Sequence, residues 1–269
     1  DGSNFSNSGP ANIGSFSTKG IEFSLNADVI KRDNLNWNVN FNATKFERRI
    51  DELPAGSDVF FGQAGGTGGT VQIHREGYTP GSFFVYKQLY STDGSPIEGA
   101  FADLNGDGII NGDDRYIYKN PDPDLVLGFA SSFNYKNFDF SFNMRASFGN
   151  RIYNALKANR AYNALLKPDA ELGNVLTSVL DTNFTNVNGE NVISDIYIEN
   201  GSFLRMDNIT MGYTFPNWLG KASLRLFTGV QNAFIITDYD GLDPEINDGR
   251  DNTIYPRQRQ FLFGANVKF

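Results

Sequence analysis

Apolar and polar residues alternate with a period of two along seven stretches of this chain. In the first, Ile21, Phe23, Leu25, Ala27 and Val29 alternate with Glu22, Ser24, Asn26 and Asp28. Beyond Lys31-Arg32-Asp33-Asn34 the pattern resumes as Leu35, Trp37, Val39, Phe41 and Ala43 against four asparagines. Successive side chains of a strand point to opposite faces, so these two stretches predict a hairpin with one apolar and one polar face. A second hairpin follows from Leu125, Leu127, Phe129 and Phe133, the turn Tyr135-Lys136-Asn137, and Phe138, Phe140, Phe142, Met144, Ala146 and Phe148 set against Asp139, Ser141, Asn143, Arg145 and Ser147. Ile209, Met211, Tyr213 and Phe215 make a fifth stretch, and after the turn at 216–221 a sixth carries Leu224, Leu226 and Val230. The seventh places Phe261, Phe263, Ala265, Val267 and Phe269 on one face. Two features break the rhythm: Leu204 and Met206 are out of phase with Ile209 onward, and Phe227 falls on the polar face. A β-bulge or a packed interior accounts for either.

Strands of about ten residues cross a bilayer when tilted. The predicted fold class is therefore all-β, a transmembrane antiparallel β-barrel. The connections agree: short turns at 31–34, 135–137 and 216–221 alternate with long segments near 46–124, 150–201 and 234–258, the asymmetry of outer-membrane barrels. With the short turns in the periplasm, seven strands starting from the outer side leave Phe269 in the periplasm as the terminal aromatic of a closing strand. Seven strands do not close a single-chain bacterial barrel, which uses an even number from eight upward, so further strands are expected from sequence outside these residues. Because the chain starts at Asp1 with no signal peptide, residues 1–269 are read as the C-terminal portion of a longer barrel. The competing architecture is a soluble sandwich with one wet face. The Asn- and Ser-rich polar faces set against Phe-rich apolar faces favour the membrane.

Composition changes this picture little. No apolar run approaches the roughly 18 residues of a membrane helix. A mean hydropathy of −0.37 does not oppose a barrel, whose apolar residues occupy only every second position. A net charge of −8 argues against nucleic acid as a partner. The absence of Cys excludes disulfides and thiolate metal sites.

The sharpest local motif runs from Asp103 to Asp114, DLNGDGIINGDD. Counted as a twelve-residue calcium loop, it offers oxygen ligands from Asp103, Asn105 and Asp107, a turn at Gly108, the Ile109 carbonyl at the seventh position and Asp114 at the twelfth, with Ile110 turned inward as an anchor. Ca²⁺ bound there has a structural role, since the motif holds no nucleophile or general base. The twelfth ligand is Asp rather than the usual Glu, and the competing reading is an Asp/Gly turn whose side chains cap their own backbone.

Other candidates are weaker. His74, the single histidine, lacks partners for a metal site or a catalytic triad and reads as surface. The Gly-rich stretch 61–70 lacks the Lys and following helix of a phosphate loop. Arg151–Leu166 has near-helical spacing and predicts a short loop helix. Asp238/Asp240 and Asp243/Glu245 read as solvated loop charge rather than a glycosidase pair. With no acid, base and nucleophile to assemble, an enzyme is not expected.

Several segments, in order along the chain, resemble the SusC/RagA family of TonB-dependent outer-membrane transporters. They include Asn12-Ile13-Gly14, Thr18-Lys19-Gly20-Ile21-Glu22, Glu76-Gly77-Tyr78-Thr79-Pro80-Gly81-Ser82-Phe83-Phe84, the Asp103–Arg115 loop and Asn120-Pro121-Asp122-Pro123. Tyr135-Lys136-Asn137-Phe138-Asp139, Phe203–Ile209, Gly212-Tyr213-Thr214-Phe215, Gln231-Asn232-Ala233-Phe234, Tyr239–Glu245 and Tyr255-Pro256 continue it, and only Gln258-Arg259-Gln260 departs, where the family more often has a hydroxyl residue. The resemblance implies a 22-stranded plugged barrel of which this chain is roughly the last third. It also implies a SusD-like surface lipoprotein as partner, a TonB complex engaged through the missing N-terminal part, outer-membrane lipid around the wall, and import of an oligosaccharide or peptide. Long-loop aromatics such as Phe83, Phe84 and Tyr86 would contact glycan rings or the partner, or else pack within their loop. Two alternatives stand beside uptake: a SusC-like barrel serving as a non-transport scaffold, and a soluble calcium-stabilised carbohydrate-binding domain.

Overall fold

The computed structural model describes residues 14–64, 68–161, 175–185, 189–252 and 255–269. In chain order the strands are β1 (Ser15–Arg32), β2 (Leu35–Glu52), β3 (Val59–Gln63), β4 (Thr70–His74), β5 (Ser82–Val85), β6 (Gln88–Tyr90), β7 (Pro96–Phe101), β8 (Tyr116–Ile117), β9 (Leu125–Tyr135), β10 (Phe138–Phe148) and β11 (Arg151–Asn154). After helices α1 (Ala155–Arg160) and α2 (Val179–Thr182) come β12 (Ile198–Asn200), β13 (Phe203–Trp218), β14 (Ala222–Thr237), β15 (Arg250–Asp251) and β16 (Gln260–Lys268).

All seven predicted strands lie side by side in one antiparallel sheet, ordered β1-β2-β9-β10-β13-β14-β16. Directly opposed residues share a face, so the register tests the face assignment. Leu25 opposes Phe41, Phe41 opposes Phe129, Phe129 opposes Met144, Phe142 opposes Ile209, and Val230 opposes Phe261. The apolar residues thus form one continuous belt, and its members face outward: Ile21 is 77% exposed and Phe263 82%. A soluble sandwich would bury this face; among the described residues nothing covers it, which goes against the soluble alternative. Within the belt the Ser131 hydroxyl accepts the Trp37 indole N–H at 3.0 Å, so neither polar group meets hydrocarbon unpaired.

Both irregularities have local causes. Asn143 opposes Asn208 and Met144 opposes Met206, so Asp207 is an extra residue in β13. That bulge restores Leu204 and Met206 to the belt opposite Ala146 and Met144. Phe227 opposes Gly264 on the inner face, and a Cβ on Gly264 would overlap the Phe227 ring. Glycine there lets an inward aromatic lie flat on the wall, with Arg225 over its ring at 5.0 Å.

The short turns follow the alternation. Lys136 between β9 and β10 takes φ 53°, and the turn after β13 uses Leu219 at φ 51° and Gly220 at φ 80°. The long connections fold together into a cap. β3-β4-β5-β8 form one small sheet and β12-β11-β15 another, the second drawn from the two later connections. Ala64, Val71, Phe83, Val85, Phe101, Tyr153, Ala155, Val192 and Tyr197 pack into a shared core. Tyr153 donates to the Val192 carbonyl at 2.7 Å, and Tyr86 N–H to that of Ile193 at 2.9 Å. The predicted helix at 151–166 is shorter than expected: Arg151–Asn154 are strand, α1 covers Ala155–Arg160, and residues 162–166 lie outside the described residues.

Candidate functional site: the inner wall and its junction with the cap

The face opposite the belt carries Asn36, Asn38, Asn40 and Asn42 on β2, Ser132 and Asn134 on β9, and Ser141 and Asn143 on β10. These side chains are short and uncharged. At Gly128, opposite Asn42, a Cβ would overlap the Asn42 amide. Such a surface leaves volume for water and offers hydrogen bonds without strong charge. Nearer the short turns, Arg225 on β14 donates to both oxygens of Asp139 on β10 across the intervening strand, with Nε at 2.9 Å.

Where the wall meets the cap, charge is concentrated. Arg145 on β10 donates from Nε to Asp207 at 2.9 and 3.0 Å and from Nη2 to Glu245 at 2.8 Å, while its Nη1 also binds Glu245. Arg205 on β13 donates to Asp243 at 2.6 Å, and its Nε lies 3.5 Å from Glu245. Arg257 completes the set, 2.8 Å from Glu245 and 3.3 Å from Asp243. Three guanidinium groups thus meet three carboxylates, a neutral cluster that joins two wall strands to the connection between β14 and β16. The side chains of Arg205 and Asp243 are each only 5% exposed, so the pairing is required once the groups are buried. The bulge matters here too, since it lets Arg205 and Asp207 both turn inward. Asp243 and Glu245 are therefore not the solvated loop charge expected from sequence. Asp240, 66% exposed and 3.3 Å from Lys157, does fit that description.

A cavity of about 420 Å³ opens beside this cluster, lined by Arg48, Asp122, Arg145, Asn150, Phe203 and Glu245. Arg48 reaches Asp122 through Nε and Nη2, the Nε bond being 2.7 Å. Sequence reasoning missed this site. Its signal was partial, since Arg145 fell on the polar face of β10 whereas Arg205 reaches the inner face only through the bulge at Asp207.

The long-loop aromatics pack inside the cap. Phe83 is fully buried, and Phe84 and Tyr86 nearly so. The guanidinium groups of Arg75 and Arg115 lie 5.0 and 4.6 Å from the Phe84 ring centre. Tyr86 stacks on Phe101 at 4.9 Å. His74 is a structural part of the cap: its Nδ1 accepts the Gly81 N–H at 3.1 Å and its ring lies 4.4 Å from Phe61, and burial pushes its pKa below the ordinary value.

In the Asp103–Asp114 loop, the side chains cap their own backbone. Asp103 accepts from Gly106 N at 2.6 Å and Gly108 N at 2.8 Å, Asn105 from Asp107 N at 2.9 Å, and Asp107 from Ile109 N at 2.8 Å. Asp114 is buried and takes the N–H groups of Leu104 at 2.8 Å, Asn111 at 2.9 Å and Asn105 at 3.4 Å, which holds its carboxyl below the ordinary range. The oxygen-only donor set suits a hard cation, but among the described residues no three acidic or histidine side chains converge on one point. Ile110 is 37% exposed rather than turned fully inward.

An outward apolar belt, an inward polar face, short turns at one end and a folded cap at the other define a section of outer-membrane β-barrel wall. No family model matches the chain. It is 40% identical to the TonB-dependent receptor SusC of Bacteroides thetaiotaomicron over 100% of its own length and 28% of that protein. It is 34% identical to the TonB-dependent receptor P3 of Formosa agariphila over 96% of its length and 29% of that protein. The chain belongs to the SusC/RagA family of TonB-dependent receptors, and it spans less than a third of the length of these relatives. In fold it resembles the barrel chain of the RagAB peptide transporter, with a TM-score of 0.71 at 20% identity over 94% of this chain and 29% of that one.

Proposed function

We propose that these residues form part of the wall and outer cap of a transporter that draws a large nutrient, an oligosaccharide or peptide, across the outer membrane with energy supplied through TonB. The observation that carries this reading is the match to SusC along the whole chain. In this reading a SusD-like surface lipoprotein sits on the cap, and the short turns and Phe269 lie in the periplasm. The decisive experiment deletes the full-length gene and compares growth on glycans and on peptides as sole carbon source, alongside co-purification of the tagged receptor. Loss of growth on one nutrient class and recovery of a stoichiometric lipoprotein support uptake. Unchanged growth with recovery of assembly or secretion components makes the barrel a scaffold. For orientation, single cysteines at Asn34 and Asn105 report sidedness: only the second should react with an impermeant thiol reagent on whole cells.

A calcium ion on the 103–114 loop belongs to the same proposal in a narrower form. Asp103, Asn105, Asp107 and the Ile109 carbonyl supply the ligands, while Asp114 stays on the backbone. Slower amide exchange across residues 103–109 on adding Ca²⁺, absent in Asp107→Ala, supports it.

A further inference from the structure

Three cations stand on the belt side of the wall, away from its inner face. Lys45 opposes Ile21, Glu47 opposes Lys19, and Arg49 opposes Ser17, so Lys19, Lys45 and Arg49 stand on the face that carries Ile21, Phe23 and Phe41. All three are exposed, and among the described residues none makes an ion pair, although Glu47 lies in the same row. Asp51, one step further out, is held by the Ser17 hydroxyl at 3.0 Å.

Depth decides what they meet. Strands rise about 3.4 Å per residue and tilt by about 40° in such walls, so Lys45 lies about 26 Å above Leu35 along the membrane normal, Lys19 about 31 Å and Arg49 about 36 Å. The apolar belt of an outer-membrane barrel is about 25 Å tall. The three cations therefore begin where hydrocarbon ends and climb through the headgroup zone. Level with Lys45 the outward residues of the neighbouring strands are apolar, Leu125 where β9 begins and Phe148 where β10 ends. On β1 and β2 the three cations, with Glu47 among them, stand above an apolar strip of Ile21, Phe23, Leu25 and Phe41 against which an acyl chain can lie.

We propose that Lys19, Lys45 and Arg49 bind the phosphorylated headgroup of a lipid in the outer leaflet, its acyl chains running down the strip below. The inference rests on the reading of the sheet as a membrane wall with its short turns in the periplasm. Phosphate on a lipid is the occupant favoured here, because the cations sit on the lipid side of the wall and directly above the belt, where a protein or a free ion would have to displace bilayer.

The test uses the full-length receptor extracted from outer membranes in mild detergent, with heat-modifiable gel mobility confirming a folded barrel. Native mass spectrometry then reads retained lipid. The wild type should carry a phosphorylated lipid, and the triple variant K19Q/K45Q/R49Q should retain it about 100-fold less, from the combined pull of three cations near an anionic surface. A control variant, K31Q/R32Q/K136Q, changes the cations beside the short turns and should retain lipid like the wild type. Equal lipid retention in wild type and triple variant overturns the proposal, as does displacement of the lipid by millimolar inorganic phosphate or a co-purifying protein lost with the three cations. Loss of outer-leaflet lipid in the control variant instead means the orientation is inverted. A receptor that fractionates outside the outer membrane removes the barrel reading itself.

Discussion

Single side chains in the cap stabilise it by accepting backbone N–H groups, and two of them make separable predictions. Asp114 is one carboxylate serving three amides contributed by two segments of its loop. Asp114→Ala leaves those partly buried amides without their acceptor, and amide exchange at Leu104 and Asn111 should accelerate several-fold. Asp114→Asn keeps an acceptor and should show a smaller change. His74 supplies a pH dependence whose sign follows from its environment. Its Nδ1 must be unprotonated to accept the Gly81 N–H, and burial depresses its pKa in the folded state. A group held neutral by folding contributes stability that is complete above its unfolded pKa of about 6.5 and is lost as pH falls through that value toward the folded pKa. Exchange at Gly81, corrected for intrinsic rate, should therefore quicken below about pH 6.5, and His74→Gln should flatten the response. An unchanged Gly81 rate across that range would show that the imidazole does not hold this turn. Neither residue announced its role in sequence. The spacing of the acidic residues pointed to a metal loop, and a solitary histidine gave no partner to reason from.

Strands and their connections are joined by the Arg145, Arg205 and Arg257 cluster. Glu245 touches all three guanidinium groups. Glu245→Gln removes the shared charge while keeping the shape, leaving Arg205 with Asp243 and Arg145 with Asp207. Arg145 and Glu245 are 37% and 20% exposed and each arginine keeps a second carboxylate, so the loss is screened and stays below the roughly 3–5 kcal/mol of a fully buried pair. Limited proteolysis between 238 and 252 should become much faster, with the wall strands still protected. Arg257→Gln, at the more exposed rim, should cost less. If cleavage stays slow in Glu245→Gln, the connection is held by its other contacts, such as Tyr239 on Asp251. The seven wall strands were legible because a face exposed to lipid imposes a strict period of two on residues such as Phe138, Phe140 and Phe142. The cap was not, because strands such as Ser82-Phe83-Phe84-Val85 are buried on both faces and show only a short apolar run. The charged junction was half legible. Arg145 fell on the polar face, but Arg205 turns inward only through the bulge at Asp207, and their partners Asp243 and Glu245 arrive from a connection whose path no local pattern encodes.

For the molecule as a whole, a matched pair of substitutions decides which face of the wall meets lipid. Phe142 and Ser141 are adjacent on β10 and therefore face opposite sides of the wall. Phe142 opposes Ser131, which opposes Val39, four residues above Leu35 and so about 10 Å into the belt at the rise and tilt of such strands. A charge there must lie in hydrocarbon or drag water with it. Phe142→Arg should cost about 2–4 kcal/mol and lower the fraction of receptor that reaches the heat-modifiable folded form in the outer membrane. Ser141→Arg adds the same charge on the inner face, among Asn and Ser, where water solvates it, and folding should be little affected. The reverse ranking would turn the sheet inside out. It would place the asparagine face against lipid and take with it both the polar lumen proposed for transport and the lipid contact proposed for Lys19, Lys45 and Arg49. Because both variants keep the same backbone, strand order and net charge, a difference between them reports the side each residue faces and not a general intolerance of arginine. That makes the pair a sharper test of membrane embedding than solubility, since an exposed belt aggregates whether or not it was built to meet a bilayer.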